Sequence, residues 1–155
     1  MKRALVIAVA ALAAAGATVA EGKVASGRFA GATSKHDPVG FKVDGRGKLY
    51  AFYFEGVRLK CTDGDQFDTP TGSDRVQTDD SDRLTITRSR RFAFSVRSET
   101  FGNGYNVAGR FNRRGRKATG TLRVFANFDT QNNADPNGSV HCSSGTLTFS
   151  ATRRR

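Results

Sequence analysis

Three kinds of side chain in this chain could do chemistry: guanidinium groups in clusters, carboxylates in a run, and two cysteines. Arg88, Arg90 and Arg91 crowd one predicted turn, Arg113, Arg114, Arg116 and Lys117 a second, and Arg153 to Arg155 close the chain. Guanidinium forks match phosphate and carboxylate oxygens in pairs, so these clusters suit anion binding. The plainer alternative is that hairpin tips are polar because water covers them. The charge is uneven along the chain: residues 21–62 carry a net +4, residues 63–82 a net −6 and residues 83–155 a net +11. A basic body with one acidic insertion attracts polyanions. Anionic polysaccharide, wall polymer or membrane headgroups are the expected partners. Tyr50 and Phe52 could add stacking for nucleic acid, but no motif for sequence-specific reading is present.

The acidic run offers hard oxygen ligands at Asp63, Asp65 and Asp68, with Asp79, Asp80 and Asp82 behind them. Calcium takes such ligands, but this is not an EF-hand: Gly64 falls early and no Glu closes the loop. The reading preferred here is an acidic loop lying against the protein's own arginines, with no metal and no cofactor. Glu55 and Glu99 are the isolated acids near predicted strands, a poor basis for paired-carboxylate hydrolysis. No Gly-x-Ser-x-Gly elbow occurs, and there is no Trp to form a sugar platform. No catalytic residue is assigned, and a non-enzymatic protein is expected.

Cys61 and Cys142 are the only cysteines. In an oxidising compartment an isolated pair is expected to form a disulfide. It would close a loop of about 80 residues, worth roughly 4–5 kcal/mol in the chain-entropy account. The competing reading is a Cys nucleophile served by His36 or His141. His141 directly precedes Cys142, and strand neighbours point to opposite faces, which disfavours it.

The compartment follows from the N-terminus. Lys2 and Arg3 precede an apolar run from Ala4 to Ala15, and small residues continue to Ala20. That order reads as a signal peptide over residues 1–20, cleaved after Ala20 or Ala17. The apolar run is too short to span a bilayer comfortably, and no second run exists, so no transmembrane segment is expected in the mature chain. The expected location is secreted or extracytoplasmic, in association with the cell envelope. Residues 21–155 are one domain's worth of chain.

These side chains must be positioned by strands. Apolar residues alternate at period two, and glycine-containing turns punctuate them. Strands are expected at Ser26 to Thr33, Val39 to Val43, Leu49 to Phe54, Val57 to Cys61, Arg83 to Thr87, Arg91 to Glu99, Tyr105 to Phe111, Thr119 to Phe125 and Thr146 to Thr152. Turns fall at Asp44 to Gly47, Glu55-Gly56 and Arg113 to Arg116. Cys61 is expected to point into the core with Val57 and Leu59, and Phe92, Phe94 and Val96 to face inward together. Asn103-Gly104 is the strongest hairpin signal, because a type I′ turn needs positive φ at both central positions. Residues 127–138 read as a loop, and Asn137-Gly138-Ser139 as a turn rather than a glycosylation acceptor. Cys142 and Leu147 have opposite parity, so a bulge or turn is expected at Ser143-Ser144-Gly145. Residues 62–82 show no strand pattern and read as a long acidic loop.

Leu49 to Phe54 is apolar on both sides, with Leu49, Ala51 and Tyr53 on one face and Tyr50, Phe52 and Phe54 on the other. With twelve Phe in the chain, this motivates a second reading, a β-barrel binder of a small apolar ligand held at Tyr50, Phe52 and Phe54. The architecture expected is an all-β, single-domain antiparallel sandwich or barrel. The lack of Trp argues against an immunoglobulin domain.

The ordered motifs Gly27-Arg28-Phe29-Ala30-Gly31-Ala32-Thr33-Ser34, Pro38-Val39-Gly40-Phe41-Lys42-Val43, Cys61-Thr62-Asp63-Gly64, Gly120-Thr121-Leu122-Arg123, Cys142-Ser143-Ser144-Gly145-Thr146-Leu147 and Phe149-Ser150-Ala151 span most of the mature chain. The series resembles a group of small secreted all-β proteins of unknown function from high-GC Gram-positive bacteria. The resemblance implies a β-rich extracytoplasmic domain with Cys61 and Cys142 paired. It implies no activity, and the Asp-rich segment is longer than the group's pattern.

Overall fold

A computed structural model describes residues 23–155 apart from 73, 74, 101, 130 and 132. The expected signal peptide at 1–20 lies outside the described residues. Twelve strands, and no α-helix, occur among the described residues. They are β1 (Gly27–Thr33), β2 (Pro38–Val43), β3 (Lys48–Phe54), β4 (Arg58–Cys61), β5 (Gln66–Asp68), β6 (Val76–Gln77), β7 (Leu84–Thr85), β8 (Arg91–Arg97), β9 (Gly104–Phe111), β10 (Lys117–Phe128), β11 (Val140–Ser143) and β12 (Leu147–Arg153). All pair antiparallel in one sheet, in the order β5-β4-β11-β10-β12-β1-β2-β3-β6, with β9 also on β10, β8 on β9 and β7 on β3. The sheet does not close into a ring, and the architecture is that of a single-domain β-sandwich.

Strand β10 is the spine. One edge pairs with β9 from Ala118 to Phe125. The other is shared, first by β12 at Lys117 to Leu122 and then by β11 at Phe125 to Phe128. The break between those two partners is the one expected from parity: β11 ends at Ser143, β12 begins at Leu147, and Gly145 sits at φ 66° between them. Buried Ser144 closes the gap, its Oγ accepting from the Val124 amide (2.9 Å) while its own amide donates to the Val124 carbonyl (3.0 Å).

Aromatic rings fill the space between the two halves of the bent sheet. Phe29, Phe41 and Phe52 lie in file from β1 to β3, with centroids 5.0 and 6.1 Å apart. Phe111 meets Phe29 and Phe41 edge-on, at 5.3 and 5.9 Å, and Tyr105 meets Phe54 edge-on at 5.0 Å. Such contacts add about 0.5–1.5 kcal/mol each beyond area burial. Glycines make room for the rings: a Cβ on Gly120 would stand 2.1 Å from the Ala108 carbonyl oxygen and 2.8 Å from a Phe149 ring carbon.

Four expectations need correction. The first is β3. Gly40 pairs with Tyr53 but Lys42 with Tyr50, so two β3 residues oppose one on β2. This bulge puts Ala51 at φ 48° and resets the parity. Leu49, Phe52 and Phe54 are fully buried together, whereas Tyr50 and Tyr53 stand on the outer face. The two-sided apolar strand is therefore an ordinary one with one extra residue.

Second, residues 62–82 are not a structureless loop. They carry β5 and β6 and are pinned by buried threonines. The Val57 amide donates to Thr69 Oγ1 and the Phe52 amide to Thr78 Oγ1, each at 2.9 Å. The Thr69 and Thr78 amides return bonds to the same two residues' carbonyls. Side-chain hydroxyls here replace ladder partners, which leaves no period-two apolar signal. Third, the β8–β9 connection runs from Ser98 to Asn103 with Gly102 at φ 61°, while Gly104 is already in strand. Asn103-Gly104 is therefore not the turn, and Val96, near the end of β8, is exposed rather than inward. Fourth, Cys61 is only half-buried, while Cys142 is fully buried.

The disulfide itself forms. Cys61 on β4 and Cys142 on β11 are directly opposite, Cα to Cα 3.9 Å. The Cys61 amide donates instead to the Asp65 carbonyl, which leaves the close, non-hydrogen-bonded pairing that a cross-strand bridge needs. Asn137-Gly138 is a turn, closed by Gly138 N–H to the Asp135 carbonyl at 3.1 Å.

Candidate functional site

Three basic clusters far apart in sequence converge on one end of the sheet. At the β7–β8 turn the Thr87 amide donates to the Arg91 carbonyl (2.8 Å), and Arg90 takes φ 61°. At the β9–β10 turn the Asn112 amide donates to the Lys117 carbonyl (2.8 Å), and Asn112 Oδ1 accepts from the Arg116 amide (3.0 Å). These turns and the chain end are tied to one another. Phe111 N–H donates to the Arg90 carbonyl, Arg153 N–H to the Arg116 carbonyl and Arg154 N–H to the Arg28 carbonyl, at 2.8–2.9 Å. The β2–β3 turn joins them: Lys23 Nζ donates to the Gly45 carbonyl at 2.6 Å. Arg28, Arg46, Arg88, Arg91, Arg113, Arg114, Arg116, Lys117 and Arg153 to Arg155 are all exposed there, and Arg90 is half-buried.

Little neutralises this end. The ion pairs among the described residues are Lys42–Asp80 (3.2 Å), Arg58–Asp68 (2.9 Å) and Arg83–Asp44 (3.8 Å), so none of the clustered cations is paired. Asp44, in the β2–β3 turn, is already engaged. Its Oδ1 accepts the Lys48 and Arg46 amides, which with the nearby Arg83 hold its carboxyl below the usual range. Between the β2–β3 and β7–β8 turns lies an open cleft of about 350 Å³, lined by Lys23, Arg46, Arg88 and Arg90 over Val24 and Ile86. Arg90 Nε is buried there with no hydrogen-bond partner among the described residues.

The acidic residues sit elsewhere. Asp63 and Asp65 occupy the β4–β5 tip, where Asp63 Oδ1 accepts the Asp65 amide. Asp68 is held by the Arg58 fork at 2.9 and 3.1 Å, which keeps its carboxyl below the usual range. Asp79 accepts the Ser81 amide, and Asp80 faces Lys42. The calcium set is thus not gathered: among the described residues no group of three or more His, Cys, Asp or Glu is placed to hold a metal ion. Glu55 Oε2 accepts the Gly72 amide at 2.8 Å, and Glu99 lies in the β8–β9 connection. His141 Nδ1 is 3.0 Å from Asn127 Oδ1, and its neighbour Cys142 is spent in the disulfide.

The apolar set is split by the β3 bulge. Phe52 and Phe54 are core residues, while Tyr50 faces out beneath the guanidinium of Arg83, 3.8 Å from its ring centre, with Lys42 Nζ at 5.6 Å. Tyr53 is covered by Arg75 in the same way, at 4.2 Å. Sequence reasoning missed these cation–π pairs. Tyr50 and Tyr53 have opposite parity and share the outer face only through the β3 bulge, and of their covering cations Arg75 comes from a segment read as a loop.

Compared with known protein families, with curated proteins and with solved structures, the chain matches none. No helix among the described residues is long and apolar enough to cross a membrane.

Proposed function

We propose that this is a secreted, non-enzymatic binding module whose basic end holds anionic polymer of the cell envelope or its surroundings. One observation carries the reading: three arginine clusters, remote in sequence, meet at one end of the sheet with no carboxylate among the described residues paired to them. Each clustered cation loses little on meeting an anion, because no internal ion pair must first be broken. Arginine forks favour phosphate or carboxylate oxygens. The disulfide accords with an oxidising, extracytoplasmic location.

The test is calorimetric titration with poly(glycerol phosphate) and polygalacturonate at low and high salt. Arg113→Gln/Arg114→Gln/Arg116→Gln should weaken binding at least tenfold, and Lys35→Gln/Lys60→Gln, remote from those turns, should not. Binding should fall as salt rises, because exposed charges are screened. Affinity indifferent to salt, or to the triple substitution, would overturn the reading.

A further inference from the structure

The outer face of β9, β10 and β12 carries a shallow, open groove of about 670 Å³, of which the charge argument uses only Arg91. At its basic end Arg91 on β8 and Arg110 on β9 stand directly opposite in register, both exposed. Like charges so placed destabilise a sheet. Neither guanidinium has an ion-pair or hydrogen-bond partner among the described residues. Away from the arginines two hydroxyl rows follow: Thr119 opposite Ser150, and Thr121 opposite Thr148. These four hydroxyls also lack partners among the described residues. All six residues line the groove, and no carboxylate does.

From this lining we infer that the groove is a glycan subsite, which takes successive residues of an acidic polysaccharide and seats a sugar oxyanion between Arg91 and Arg110. The inference rests on the anionic-polymer reading and narrows it to a sugar chain. The two residues of a row lie about 4.8 Å apart across strands, and the rows about 6.8 Å apart along them. They thus present a grid of donors and acceptors, with threonine methyls and Ala108 between. Sugar hydroxyls and C–H faces suit such a surface. A bare polyphosphate does not, because its charged oxygens would lie against methyl carbon without compensation.

The test compares three probes on the intact protein: polygalacturonate oligomers, dextran sulfate and inorganic polyphosphate. The variant Thr119→Val/Thr121→Val/Thr148→Val removes hydroxyls while keeping branched side chains that suit a strand. It should weaken at least one glycan about tenfold, the loss of a few hydrogen bonds, and leave polyphosphate binding unchanged. Arg91→Gln/Arg110→Gln should weaken that same glycan further. If polyphosphate binds but neither glycan does, or if the valine variant binds all three probes as the parent does, the glycan subsite is wrong while the basic-end reading stands. An equal loss for glycan and polyphosphate would also sink the subsite. If no probe binds, both readings fall.

Discussion

Replacing Cys61 and Cys142 together by alanine tests the energetic centre of this fold. The bridge links residues 81 apart in sequence. A cross-link of that span removes about 4.5 kcal/mol of entropy from the unfolded chain, a large part of a typical domain's 5–15 kcal/mol. In the native state little else changes, since β4 remains anchored by fully buried Val57 and Leu59 and by the Thr69–Val57 bond pair. The loss should therefore be global rather than a local release of the β4–β5 hairpin. For a domain of roughly 130 residues it corresponds to a fall in Tm of about 15 °C. Urea denaturation of the double variant against the parent, followed by far-ultraviolet circular dichroism, measures it directly. Amide exchange at Leu59 separates the two outcomes, because global destabilisation lowers protection evenly across β4 and β10. A loss below about 1 kcal/mol, or protection lost at β4 alone, would refute the argument.

Two further predictions concern the core. Burial, with the charge of Asp82 adding to it, pushes the Tyr105 phenol up to about 12 from 10.0, and its hydroxyl has no hydrogen-bond partner among the described residues. A raised acid pKa favours the neutral form, so its contribution is complete below pH 10 and is lost as pH rises toward 12. That loss is worth roughly 2–3 kcal/mol. Tyr105→Phe should fold at neutral pH with undiminished stability and lack this alkaline loss, as denaturation at a series of pH values would show; a parallel alkaline decline in both proteins would contradict it. Gly120→Ala should cost about 3 kcal/mol, because its Cβ meets backbone of β9 as well as the buried Phe149 ring. Gly45→Ala, with open space around its Cβ, is the matched control, and equal stabilities for the two variants would contradict the close approach.

Much of this protein is local in origin. Period-two alternation in β1, β2, β9 and β12 is set by which neighbours alternate toward the core, and that can be read along the chain. So can the break at Ser143 to Gly145, which the opposite parity of Cys142 and Leu147 forces. The cysteine pairing is legible in composition, because Cys61 and Cys142 are the only two cysteines. Other features depend on partners distant in sequence. The Ala51 bulge exists because β3 pairs with β2 and must seat Leu49 in the core together with Phe52 and Phe54, which have the opposite parity. The threonines at 69 and 78 are structural only because the backbone amides of Val57 and Phe52 lie beside them. Above all, the meeting of the arginine turns belongs to the tertiary structure. Antiparallel strands reverse the chain at each connection, so which turns share an end depends on how many strands intervene. Here the chain end meets the β9–β10 turn because β12 runs back along β10, which sets Thr152 opposite Lys117.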